Sequence, residues 1–93
     1  MNAVRVRLHG NPARTMGRSV VEVSGDRAPT VRKLIEELIG MKPELRQDLL
    51  KDREVSKGVL ILVNGRNIAF IQGLETRIGG GDTVDIIPMV VGG

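Results

Sequence analysis

The sequence predicts an α+β domain, a mixed four- to five-stranded sheet with one main helix on one face and a short second helix. Three observations carry this. A clean apolar–polar alternation at residues 3–9 reads as a half-buried strand. An apolar stripe of helical period over residues 30–40 reads as an amphipathic helix. Two further runs, "VLILV" at 59–63 and "TVDIIP" at 83–88, supply more strands.

Each element follows from its residues. In "AVRVRLH", Val4, Val6 and Leu8 point one way and Arg5, Arg7 and His9 the other. "GNPARTMGR" is dense in Gly, Asn and Pro and reads as a turn or loop. "SVVEVSG" is the return strand of a hairpin whose loop is longer than the tightest types. In "TVRKLIEELIG", Val31, Leu34, Ile35, Leu38 and Ile39 make one stripe. Thr30 stands where an N-cap belongs and Gly40 where a helix ends. "KPELRQDLLK" restarts as a short helix, with Pro43 at its first position and Leu45 and Leu49 sharing a face. "DREVSKG" reads as a charged connector.

The uninterrupted "VLILV" has the composition of a central strand. It ends at an Asn64–Gly65 turn. "NIAFI" reads as a short edge strand and "QGLETRI" as one compact helical turn. "GGGD" is a turn that needs positive φ. In "TVDIIPMV", Val84 and Ile86 alternate with Asp85 and Ile87, and Pro88, lacking a ladder donor, loosens the end of the strand. The expected division is a domain at residues 1–88 and an extended tail at 89–93.

Composition removes several classes of function. The chain has 93 residues and a net charge of +3, enough for one domain that buries roughly two-thirds of its unfolded surface. It has no cysteine, hence no disulfide, thiolate metal site or cysteine nucleophile. The single histidine, His9, cannot build a metal site by itself and is expected at the surface. No segment reaches the roughly 20 apolar residues of a membrane span. The opening "MNAVRVRLHG" is too polar for a signal peptide, so a cytoplasmic protein is expected. Residues 1–33 carry a balance of +5 against −2 beyond them. With Phe70 as the one aromatic residue, base stacking is poorly served and nucleic acid is not the expected partner. Arg5 and Arg7 face Asp85 and Ile87 if the first and last strands are neighbours. They then either neutralise a solvated sheet face or form part of a partner site. No general acid–base pair, activated nucleophile or nucleotide loop is evident. No catalytic apparatus, metal site or bound cofactor of its own is therefore expected.

The order of elements, with "VNG" at 63–65, "GLET" at 73–76, "GDTVDIIP" at 81–88 and the terminal Gly92–Gly93, resembles the β-grasp, ubiquitin-like sulfur carriers. It is most similar to the small subunit of molybdopterin synthase, with the thiamine sulfur carrier and the archaeal ubiquitin-like modifiers as relatives. Arg14 and Gly17 sit where such carriers often have an Arg-Glu-x-x-Gly segment, and His9 and Gly10 stand near the place of the usual Phe-Ala.

The resemblance implies a reactive C-terminus. An adenylating enzyme of the ubiquitin-activating kind would use ATP to activate the Gly93 carboxylate, and sulfur transfer would leave a thiocarboxylate. Gly92 would give clearance in the enzyme's channel, since it has no Cβ. Met89, Val90 and Val91 would grip the channel walls, and residues 89–93 would reach about 17 Å when extended. The sulfur would pass to the large subunit of molybdopterin synthase or to a thiazole-forming enzyme; the Pro-x-Val-type tail leans toward molybdopterin and the molybdenum cofactor. The partner face would use Ile87 as an apolar anchor, Arg7 and Arg14 nearby, and Leu60 and Leu62, which the β-grasp pattern turns outward. Three alternatives share the sequence: a carrier for thiamine or tRNA sulfur, a modifier joined through Gly93 to lysines of other proteins, and a binding module whose glycine end is incidental.

Overall fold

A computed structural model describes residues 2–89. Its first strand, β1 (Ala3–Leu8), leads into helix α1 (Asn11–Met16) and returns as β2 (Val20–Ser24). Helix α2 (Val31–Met41) and the short α3 (Leu45–Leu49) follow. A hairpin of β3 (Leu50–Lys51) and β4 (Glu54–Val55) comes next, then β5 (Val59–Val63), β6 (Arg66–Asn67) and β7 (Thr83–Pro88).

The main sheet has the order β2–β1–β7–β5–β6. β1 is antiparallel to β2 and parallel to β7, and β5 is antiparallel to β7. The inward residues are those the alternation predicts. Val4, Val6, Leu8, Val84 and Ile86 are 2% exposed or less. All five residues of the α2 stripe are buried against them, as are Leu45 and Leu49 of α3. Thr30 caps α2 by accepting a hydrogen bond from the Lys33 backbone N–H at 3.2 Å. The Asn64–Gly65 turn has φ of +51° and +85°, as a tight hairpin requires, and Gly81 in the "GGGD" turn has φ +90°.

Several elements differ from expectation. Residues 11–16 are helical, not loop: Pro12 suits the first turn, which has no use for its missing N–H, and Gly17 ends the helix in the left-handed region. The connector expected at 52–58 contains β4, which pairs with β3 at the end of the segment expected to be helical, and Leu50 and Val55 of this hairpin pack on the core. Helix α2 runs through Gly40 to Met41. Pro43 lies in the turn before α3, not at its first helical position. "NIAFI" contributes only Asn67 to β6 before a 3-10 turn at Ile68–Phe70, whereas the helical turn in "QGLETRI" is present at Gly73–Glu75.

The central strand is β7, not β5. β5 pairs with β7 along its length, but with the two-residue β6 only at Leu62 and Val63. Its continuous apolar run has another cause. Ile61 and Val63 face the core, while Leu60 and Leu62, half-buried, lie on a sheet face that no helix covers among the described residues.

The family-like motifs are mostly fold-holding. The Asn64 amide donates to Asp82 Oδ1 at 3.0 Å, and its Oδ1 accepts from the Thr83 N–H at 2.9 Å, so "VNG" is stitched to "GDT". Buried Thr76 of "GLET" donates to the Gly73 carbonyl at 2.7 Å, and its own carbonyl accepts from Val31 N–H at the start of α2. These bonds lie at the end of the sheet opposite Pro88.

Candidate functional site: the outer sheet face and the end of β7

The outer face of the sheet is set by parity. Cross-strand partners there run Val20–Arg7–Asp85–Leu62 across four strands, with Ile87–Leu60 alongside. Arg7, Ile87, Leu60 and Leu62 are therefore brought together on one surface. Arg14 is not among them. It stands on α1, which packs against α3 and β7, and its guanidinium donates to Asn11 Oδ1.

Arg7 and Asp85 form the polar centre of this face. The guanidinium donates from Nε and Nη2 to the two carboxylate oxygens at 2.7 and 2.8 Å, a bidentate pair. Asp85 is buried, with 7% of its side chain exposed, while Arg7 is 54% exposed above it. His9 Nε2 lies 3.3 Å from the same Oδ1. The hydrogen bond from Arg7 holds the Asp85 carboxyl below its ordinary value, against the opposing effect of burial, and His9 adds to the lowering. Asp85 in turn raises Arg7 above its usual value. Cross-strand neutralisation is thus how Arg7 sits in the free protein, with the outer edge of its guanidinium still open. Sequence reasoning placed His9 at the surface, where it is, but did not attach it to Asp85. Its place on the polar side of the β1 alternation was the available signal. Arg5 pairs instead with Glu22, at 3.7 Å on exposed side chains.

The polypeptide leaves this face at the end of β7. Pro88 is still in the strand, opposite Val59, and the Met89 N–H donates to the Gly58 carbonyl. Met89 is 55% exposed. Val90, Val91, Gly92 and Gly93, assigned above to channel contact and activation, lie outside the described residues. β7 is flanked by β1 and β5, so Met89 continues from a strand paired on both sides. Such an arrangement can present an end group to another protein while the adjoining apolar face supplies binding area.

Comparison with known proteins agrees with this architecture. A protein of Archaeoglobus fulgidus whose name proposes it as a sulfur carrier is 38% identical over 92 residues, covering 98% of this chain and 99% of the relative. The small archaeal modifier protein 1 of Methanosarcina acetivorans superposes with a TM-score of 0.85 at 27% identity, covering all of this chain and 98% of that one. A chain from the BexX/CysO complex of Amycolatopsis orientalis gives a TM-score of 0.86 at 27% identity, covering 98% of this chain and all of that one. The fold is the β-grasp, ubiquitin-like one that the sequence resemblance implied. Residues 6–93 match the ThiS family, and the chain belongs to it.

Proposed function

We propose that this protein is a sulfur carrier whose reacting group is the carboxylate of Gly93. A carboxylate is a poor electrophile because its oxygen leaves badly. ATP supplies a better leaving group: the carboxylate oxygen attacks the α-phosphorus, pyrophosphate departs, and an acyl-adenylate forms. Hydrosulfide, or its equivalent delivered by a sulfur-donating protein, adds to the carbonyl carbon and AMP leaves. The product is a thiocarboxylate. The carrier needs no catalytic groups for this; it needs an end that enters another protein's site.

The observation that supports this reading best is the setting of that end. The glycine pair stands three and four residues beyond Met89, itself hydrogen-bonded at the rim of the central strand and beside the apolar outer face. The partners proposed are an adenylating enzyme of the ubiquitin-activating kind and a sulfur-receiving synthase. By resemblance of the tail, that synthase is the large subunit of molybdopterin synthase, with a thiazole-forming enzyme as the alternative. Likeness to small archaeal modifier protein 1 favours one second reading, attack on the same acyl-adenylate by a lysine amine to give a protein conjugate.

ATP–pyrophosphate exchange with the cognate adenylating enzyme tests the proposal. The full chain is expected to support exchange, and a chain lacking Gly92 and Gly93 to abolish it while unfolding at the same denaturant midpoint. Undiminished exchange by the truncated chain would refute the proposal.

A further inference from the structure

We infer that Arg7 selects the partner that docks on the outer sheet face, and that this partner places a carboxylate against the open side of its guanidinium. The inference rests on the carrier reading, with the adenylating enzyme as the docked protein. Register defines the surroundings of Arg7. It lies between Val20 and Asp85 across the strands, with Leu62 beyond Asp85 and the Ile87–Leu60 pair in the adjoining row. Val20 is exposed, and Leu60, Leu62 and Ile87 are half-buried. A protein that covered these apolar side chains would cover Arg7 with them.

The guanidinium is held where such a partner must meet it. Asp85, buried in β7, takes Nε and Nη2 at 2.7 and 2.8 Å, and His9 Nε2 lies 3.3 Å from the same carboxylate. Of the five N–H bonds that a guanidinium carries, this pairing uses two. The other three, on Nη1 and Nη2, meet no acceptor among the described residues. Water reaches them in the free protein, since the side chain is half exposed. Docking removes that water, and charged donors covered without an acceptor are strongly unfavourable. A wholly apolar partner surface is thereby rejected, and one with an acceptor at this point is admitted. The nearby charges favour an anion as that acceptor. Arg5, Arg7 and His9 alternate along β1 on its outward side, and Arg18 precedes Ser19, whose carbonyl accepts from the Leu8 N–H at 2.7 Å. Against these three arginines stand Glu22, paired with Arg5, and Asp85, buried beneath Arg7. A carboxylate makes a stronger, charge-assisted bond to guanidinium than a carbonyl does. One side of Arg7 is thus tied to its own sheet, and the other reads the partner.

The test uses the full chain and the cognate adenylating enzyme, with Kd and both rate constants read by surface plasmon resonance and ATP–pyrophosphate exchange run in parallel. The double variant Arg7→Met with Asp85→Val removes both charges and keeps the face apolar. Replacing both members of an ion pair by apolar side chains is often neutral for stability, so its urea midpoint should stay near that of the wild-type chain. A partner carboxylate would then be buried unpaired, and Kd should rise at least about 30-fold, mainly through faster dissociation. Affinity equal to or above wild type, or a loss confined to the association rate, would put Arg7 at a hydrated rim and overturn the inference. Two single variants identify the acceptor, and they decide the matter if the double variant does not fold. Arg7→Lys keeps the charge and Arg7→Gln keeps only neutral donors, so Arg7→Lys should bind at least about tenfold more tightly than Arg7→Gln. Equal affinities or the reverse order would indicate a carbonyl acceptor and overturn the carboxylate. Failure of the carrier reading looks different: the wild-type chain itself would neither bind the enzyme nor support exchange, and this inference would fall with it.

Discussion

Adjacent residues of β5 should separate stability from recognition. Ile61 is 2% exposed and packs inward opposite Ile86; Leu62, its neighbour, lies outward opposite Asp85 and is half-buried. Ile61→Ala removes a buried branched side chain from between sheet and helix, a change that costs about 2–5 kcal/mol. A domain of this size loses about 4–8 °C of Tm per kcal/mol, so melting should fall by at least about 8 °C. Leu62→Ala removes as many carbons from a face that no helix covers, and should cost about 1 kcal/mol or less. Binding should show the reverse. If the outer face docks on the adenylating enzyme or the synthase, Leu62→Ala takes away an apolar contact worth about 2 kcal/mol when it is a hot spot, roughly 30-fold in Kd. Ile61→Ala should leave Kd nearly unchanged below its melting temperature. Urea denaturation and calorimetric titration of the two variants measure both quantities. Two outcomes would refute the reasoning: equal stability losses for the pair, or a Leu62→Ala variant that binds both partners as tightly as the wild-type chain.

Three other outcomes are expected. Ile87→Asp places a charge beside Leu60 on the same face and should weaken partner binding at least about tenfold with the fold intact; unchanged affinity would put the interface elsewhere. Leu34→Ala and Leu38→Ala, both fully buried in α2, should each cost about 2–5 kcal/mol, and near-neutral midpoints in urea would remove that helix from the core. Asp85 has a folded-state pKa below its unfolded value, so its contribution to stability is complete above about pH 4 and is lost as pH falls through the lower folded value. In urea titrations from neutral to acid pH, Asp85→Asn should flatten that acid limb, and an unaltered limb would contradict the assignment.

Local pattern carried much of the fold. The stripe of α2 and the alternation of β1 each place residues on a face within one element, and both emerged buried as their periods require. What escaped was settled by contacts remote in sequence or by elements too short to show a period. Six polar-leaning residues form α1, where Gly, Asn and Pro density resembled a loop; Pro12 near its start and Gly17 after its end were the readable signals. "VLILV" resembled a strand covered on both sides because its outer residues are apolar too, which marks an uncovered face and not a second layer. The outward direction of Leu60 and Leu62 came from the family pattern, since an apolar run has no parity of its own. The Asp85–His9 contact joins the two ends of the chain, and nothing local announces it. "VNG", "GLET" and "GDT" pointed to the family most specifically. They secure the end of the sheet away from Pro88, so they identify the fold more than the site.

The central claim is that Gly93 is the atom-bearing end of the chemistry, and the intact mass of the protein tests it most directly. After incubation with ATP, the adenylating enzyme and a sulfide-level sulfur donor, the full chain should gain about 16 Da, one terminal oxygen exchanged for sulfur. Fragmentation should place that gain on Gly93. A chain that stays at its original mass, while a known carrier in the same mixture is converted, would contradict the account; so would a gain located anywhere but Gly93.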